Sequence, residues 1–253
     1  MNSCSRGPSF LCIGAQKSGT TWLYDKLSLH PDISFPGGKE VHFWNQFHHQ
    51  GIRWYCELFN IKGITGDITP AYSILPEKKV KEIRDFNPGV PIIFLIRNPV
   101  DRAWSLARMN IANMQAALSP LGEGGRLYEY DLADGWFYRN FSIPGAVRRG
   151  LYSQTLKLWW RHFDHSQFLI IRFEELVSNP KEVLNKVAQH IGANPEPFAD
   201  ITDEELRKPV FKGADLYFKT EYRRFLYDLF KSDMMELEKI TGMDLSDWLK
   251  PPE

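Results

Sequence analysis

The chain has 253 residues, enough for one substantial α/β domain, and its 43% apolar and 25% charged residues are those of an ordinary globular protein. Lysine plus arginine and aspartate plus glutamate both number 31, so no global charge steers it toward nucleic acid or an anionic membrane, and any anion site has to be local. Cys4, Cys12 and Cys56 are few, odd in number and widely spaced, which argues against a disulfide framework or a metal site and for a reducing compartment.

The start MNSCSRGPSFLCIGAQ lacks the apolar stretch of a signal peptide, and no run approaches the roughly 18 apolar residues of a membrane span. A cytoplasmic protein is expected, or a domain excised from a larger chain such as a Golgi enzyme or a biosynthetic megaenzyme. Phe10 to Ile13 is short and apolar and runs into Gly14 and a Lys-Ser-Gly-Thr-Thr cluster, which predicts a buried strand entering a phosphate-type loop. Trp22, Leu23 and Leu27 then give one helix with an apolar face, ending before His30-Pro31. Pro91 to Ile96 is a continuous apolar run typical of a parallel strand, and Arg97-Asn98-Pro99 turns it into a helix from Val100 to about Met109.

Between about Ile111 and Val147 the pattern lapses into a stretch rich in glycine and aromatics, with Gly122 to Gly125, then Tyr128, Tyr130, Trp136, Phe137 and Tyr138. A lid or an acceptor wall is expected there, or an excursion whose aromatics pack back on the core. Phe168 to Phe173 reads as a third strand, and Pro180 to Ile191 as an amphipathic helix stopped by Gly192. Further helices are expected over Glu221 to Tyr227 and Lys231 to Trp248. The alternation predicts an α/β fold, a single domain over 1–253 with a central parallel sheet flanked by helices.

A loop that leaves a strand and opens a helix offers unpaired backbone N–H groups at the positive end of the helix dipole, so it binds phosphate or sulfate oxygens. Gly19 allows close approach, Ser18, Thr20 and Thr21 bring hydroxyls, and Lys17 brings a point charge able to reach a bridging oxygen. A Walker loop needs its lysine after the second glycine and a hydroxyl for magnesium; here Lys17 comes two residues before Gly19. A small-molecule kinase is therefore the weaker alternative, and a catalytically silent nucleotide-binding module the third.

The string Lys17-Ser18-Gly19-Thr20-Thr21-Trp22 resembles the 5′-phosphosulfate loop of PAPS-dependent sulfotransferases. The resemblance implies PAPS as sulfuryl donor, with adenosine 3′,5′-bisphosphate (PAP) as product and no metal requirement. That family's second signature, an arginine at a strand end followed eight residues on by a serine, is matched by Arg97 and Ser105, and it implies that both hold the 3′-phosphate. An arginine fork and a hydroxyl suit a terminal phosphate. The blocks Leu29 to Asp32, Lys39 to Trp44, Gly66 to Tyr72, Gly150 to Tyr152 and Trp159 to Ile191 are similar to the heparan-sulfate branch, in the same order. A bacterial small-molecule or biosynthetic-pathway member would carry them too.

Alternation over Glu40 and His42 can put both polar side chains on one side of an extended segment. The resemblance implies Glu40 as catalytic base, His42 beside the acceptor, Lys17 on the leaving-group side, Trp22 stacked on adenine, and Lys212-Gly213 as a third loop binding the sulfuryl donor. Glu40 paired with Lys39 or Lys17, a structural His42, a core Trp22 and a solvated turn at Lys212 are the competing expectations. One departure stands out: where the heparan enzymes have a lysine before Thr-Pro-Ala-Tyr, this chain has Ile68, preceded by Asp67. With zero net charge, that points to a small-molecule acceptor, or an oligosaccharide less charged than heparan, carrying a hydroxyl or amine.

Overall fold

The computed structural model describes residues 7–118, 133–208 and 214–252. The backbone divides into two compact units, Met1–Arg97 with Thr155–Val210 and Asn98–Gln154 with Phe211–Glu253.

The first unit is built on a five-stranded parallel sheet in the order β2-β3-β1-β4-β5. Its strands are β1 (Phe10–Gly14), β2 (Ile33–Ser34), β3 (Ile64–Ile68), β4 (Ile92–Ile96) and β5 (Phe168–Arg172). The apolar runs read from the sequence become β1, β4 and β5. The first two are buried along their whole length, as expected for parallel strands covered on both faces. Phe10 lies opposite Gly66 of β3, and Leu11 opposite Ile92 of β4. Helices α1 (Thr20–Leu27) and α9 (Pro180–Ile191) pack Leu23, Leu27, Leu184 and Val187 with Cys12 and Leu95 into one core cluster. Gly192 ends α9 at φ 76°, the left-handed stop that its position predicts. The remaining helices of this unit are α2 (Gly51–Leu58), α3 (Glu77–Phe86), α8 (Phe173–Ser178) and α10 (Asp203–Arg207).

The second unit is helical, with α4 (Pro99–Leu118), α5 (Asp134–Ser142), α6 (Pro144–Arg148) and α11 (Thr220–Thr241); α7 (Tyr152–Trp159) begins in it. Two expectations are corrected here. Helix α4 runs to Leu118 rather than Met109, and residues 134–148 form helices rather than irregular chain. Phe137 is buried against Tyr222, 4.8 Å between ring centroids, and Trp104 stacks on Phe218 at 4.4 Å, so these aromatics pack inward. Gly122 to Gly125, Tyr128 and Tyr130 lie outside the described residues. The two helices expected after residue 220 are one, because Leu226, Phe230, Met234 and Leu237 continue a single buried stripe across Asp228–Lys231, and it stops at Thr241, before the left-handed Gly242, rather than at Trp248.

Cys56 is disulfide-bonded and Cys12 is a buried free thiol. The sequence reading, which gave the three cysteines no disulfide, is corrected at Cys56, and with it goes the argument from cysteines for a reducing compartment. Burial pushes the Cys12 thiol up to about 12, which leaves it an unreactive core group. No described helix is long and apolar enough to cross a membrane.

Candidate active site

In this sheet the chain steps from β1 outward to β2 and β3 and then crosses back over β1 to β4, so the strand order reverses between β1 and β4. The carboxyl ends of two such strands splay apart, and open α/β folds bind ligands in that crevice. Both predicted anion-binding segments of the first unit leave from these two ends: the loop Ala15–Gly19 after β1, and Arg97 after β4.

The loop is shaped by close packing. A Cβ on Gly14 would stand 3.0 Å from Ser73 Cβ, and one on Gly19 3.0 Å from Leu176 Cδ1. Gly19 has φ 95° and begins α1 with no side-chain cap, so the first-turn N–H groups are left to another partner. Lys17 also takes a left-handed φ of 70°, a conformation that an L-residue holds at a cost and that clusters at ligand-binding loops. Ser18 is fully buried, and its hydroxyl has no hydrogen-bond partner among the described residues. Arg97 reaches back to the loop, Nη1 donating to the Lys17 carbonyl at 3.4 Å, and its guanidinium lies 4.5 Å over the Phe173 ring. A planar cation held on an aromatic face keeps its fork in a fixed direction. An uncapped helix start, an unsatisfied buried hydroxyl, a glycine cradle and an oriented guanidinium fit an anionic group of the phosphate or sulfate kind.

Glu40 and His42 come together, but not by alternation along a strand. His42 sits at φ 56° and opens a π-helical turn, Phe43–Phe47, so the chain folds back after Glu40. Glu40 Oε2 is 3.2 Å from His42 Nε2, and Oε1 is 3.7 Å from Lys39 Nζ. The other ring nitrogen of His42 faces the Asn45 side-chain amide at 3.2 Å. Lys39, 13% exposed, also donates from Nζ to the Thr21 hydroxyl at 3.2 Å. The sequence reading gave Lys39 no role beyond a competing partner for Glu40; its position between Glu40 and the loop emerges only in the fold.

Asp67, near the end of β3, bonds no basic side chain among the described residues. It is fully buried and accepts three hydroxyls: Tyr55 at 2.7 Å and Tyr72 at 2.9 Å on Oδ2, Thr69 at 2.6 Å on Oδ1. Burial raises its carboxyl pKa, and the hydroxyls oppose that. Both tyrosines are held well above their ordinary range by burial and then by the Asp67 charge. Thr69 Oγ1 in turn accepts the backbone N–H of Val41 at 3.2 Å and of His42 at 3.4 Å.

Trp22 is at odds with an adenine platform. It is 7% exposed, belongs to the core cluster, and its indole N–H donates to the Leu206 carbonyl at 2.7 Å. The core position is the competing expectation from the sequence. Ser105 lies in the second turn of α4 in the second unit, half-buried. Lys212 and Gly213 lie outside the described residues. No group of three or more metal-ligating side chains occurs among the described residues.

A loop shaped to fit an anion at the switch point of a parallel sheet, with a carboxylate–imidazole pair tied to it, is the arrangement that group transfer from an anionic donor needs. Residues 8–223 match the sulfotransferase domain family, and the chain belongs to that family, whose members transfer a sulfuryl group from PAPS. It is 33% identical over 190 residues to human heparan sulfate glucosamine 3-O-sulfotransferase 6, covering 74% of this chain and 53% of that protein. It is 28% identical over 285 residues to mouse bifunctional heparan sulfate N-deacetylase/N-sulfotransferase 4, covering 98% of this chain and 32% of that one. The chain thus spans about half the length of the first relative and about a third of the second. The fold is shared with a sulfotransferase from Alicyclobacillus acidocaldarius (TM-score 0.69, 24% identity, 97% of this chain and 100% of the other). Mouse sulfotransferase SULT7A1, solved in complex with PAP, shares it as well (TM-score 0.56, 18% identity, 94% and 90%).

Proposed function

We propose that this chain moves the sulfuryl group of PAPS to a hydroxyl or amine of a small or weakly charged acceptor by in-line displacement, with Glu40 as general base. The observation that carries the reading is the tie through Lys39, which sets Glu40 beside the first turn of the loop helix rather than at an unrelated surface. PAPS supplies an activated sulfuryl group on a phosphate leaving group. Lys17 stands for the charge that neutralises the departing bridging oxygen, and Ser18, Thr20, Thr21 and the N–H groups after Gly19 for the donors that hold the phosphosulfate. Arg97 takes the 3′-phosphate as a fork. Ser105 and Lys212-Gly213 are proposed as further contacts on the sequence resemblance alone.

Glu40 accepts the acceptor proton as the new bond to sulfur forms, and His42, bonded to the same carboxylate, orients it and shares that proton. Ile68, fully buried where the heparan enzymes have a lysine, supports an acceptor with less negative charge than heparan sulfate. The test combines binding and transfer. PAP should raise the melting temperature of the wild type, and Arg97→Ala should lose most of that rise. Glu40→Gln should keep it while label transfer from 35S-PAPS, over a panel of small alcohols, amines and glucosaminyl oligosaccharides, drops by about 10²–10⁴. No thermal response to PAP, beside a response to ATP with magnesium, would return the protein to the kinases.

A further inference from the structure

We infer that Asp67, acting through the hydroxyls of Thr69 and Tyr72, is the positioning residue that fixes the segment bearing Glu40; this rests on the reading of Glu40 as base. A buried carboxylate is costly to keep, and its place on β3 could be taken by an apolar residue if packing were all that mattered. Asp67 bonds three hydroxyls, and the chemistry of that choice is directional. All three hydroxyls donate to the Asp67 oxygens, so each spends its single proton there and turns its lone pairs the other way. Two of these hydroxyls then face the backbone just after Glu40. Thr69 Oγ1 receives the N–H groups of Val41 and His42, and the Tyr72 hydroxyl lies 3.5 Å from the Trp44 N–H. The third, Tyr55, stacks its ring on Phe43 at 4.4 Å between centroids, with 12° between the planes.

The residues from Val41 to Trp44 follow no strand or α-helix that would hold them. One carboxylate sets the direction of the bonds that do. Thr69 has to donate to Asp67 for its oxygen to be free for two backbone donors at once; without the carboxylate its hydroxyl can rotate and compete with them. A misplacement of about 1 Å in a reacting group costs about 10²-fold in rate, so loss of this hanger should register in turnover before it registers in binding.

Thr69→Val, which replaces the hydroxyl by a methyl group of similar shape, and Thr69→Ser, which retains the hydroxyl, separate this role from packing. Expected for Thr69→Val are faster amide hydrogen exchange at Val41 and His42, a fall in kcat of about 10- to 100-fold in label transfer from 35S-PAPS, and a PAP affinity within about twofold of wild type. Thr69→Ser should keep both the exchange protection and the rate. Asp67→Asn should lose the same exchange protection and rate as Thr69→Val, and a folded Asp67→Asn with wild-type exchange and kcat would overturn Asp67 as the group that directs Thr69. Thr69→Val at wild-type kcat would overturn the positioning role alone. A Glu40→Gln variant that transfers label at the wild-type rate would overturn Glu40 as base, and this inference with it.

Discussion

Lys39 and Thr21 are joined by a hydrogen bond of 3.2 Å from ammonium to hydroxyl, so the residue before Glu40 is fastened to the first turn of α1. The same ammonium is 3.7 Å from Glu40 Oε1. One cation therefore serves two tasks: it adds positive charge beside the anion loop and orients the carboxylate. Lys39→Met keeps the aliphatic stem and removes both. The side chain is only partly shielded from water, so the loss should be modest: about tenfold in kcat/KM for PAPS, equivalent to about 1.4 kcal/mol. Steady-state transfer with varied PAPS measures it, and an unchanged kcat/KM would leave Lys39 as a surface tether.

The Trp22 indole decides between two uses of one aromatic. Buried in the core with its N–H on the Leu206 carbonyl, it ties α1 to α10. Trp22→Phe removes that bond, leaves a buried carbonyl unpaired and opens a small void, together about 2 kcal/mol, or a fall of about 4–8 °C in Tm. Calorimetric titration with PAP should find the affinity of the variant within about twofold of wild type. A tenfold loss of affinity at unchanged Tm would instead support the adenine platform that the sequence resemblance implies.

The parts of this protein legible in the sequence are those whose physics is local. The loop after β1 declared itself because an anion site needs small residues, hydroxyls and a cation within a few positions. Strands β1, β4 and β5 declared themselves as apolar runs. Strand β3 did not, because Gly66 and Asp67 interrupt its pattern. Gly66 is there because any Cβ would stand 2.4 Å from the Phe10 ring and 2.5 Å from the Phe35 ring, which no period along the chain announces. The closeness of Glu40 to His42 was legible, but its cause was not: a left-handed turn at His42, not strand alternation, folds the pair together. The network around Asp67 draws hydroxyls from positions 55, 69 and 72, and only the placement of α2 against the end of β3 makes it visible. The second half of α4, rich in Ala, Asn, Met and Gln, carries little apolar period beyond Ile111, so its end was invisible to a periodicity argument.

Asp233 gives the second unit a pH dependence of predictable sign. Its carboxylate accepts the Ser153 backbone N–H at 3.1 Å and the Ser153 hydroxyl at 2.5 Å, and burial raises its pKa from 3.8 more than these bonds lower it. A folded-state pKa above the unfolded one means that the native state retains a proton already lost by the unfolded chain. The associated stability is fully present below the unfolded pKa and is lost as pH rises from there through the folded pKa. Glu82, Asp134 and Asp164, whose pKa values are lowered by their partners, act oppositely, losing their contribution as pH falls. Asp233→Asn removes only the first effect. Urea unfolding of wild type and variant from about pH 4 to about pH 7 should therefore give a difference in stability, wild type minus variant, that falls as pH rises and then levels off. A difference that climbs with pH would mean that the bonds from Ser153 outweigh burial, and that Asp233 is held as a stabilised anion.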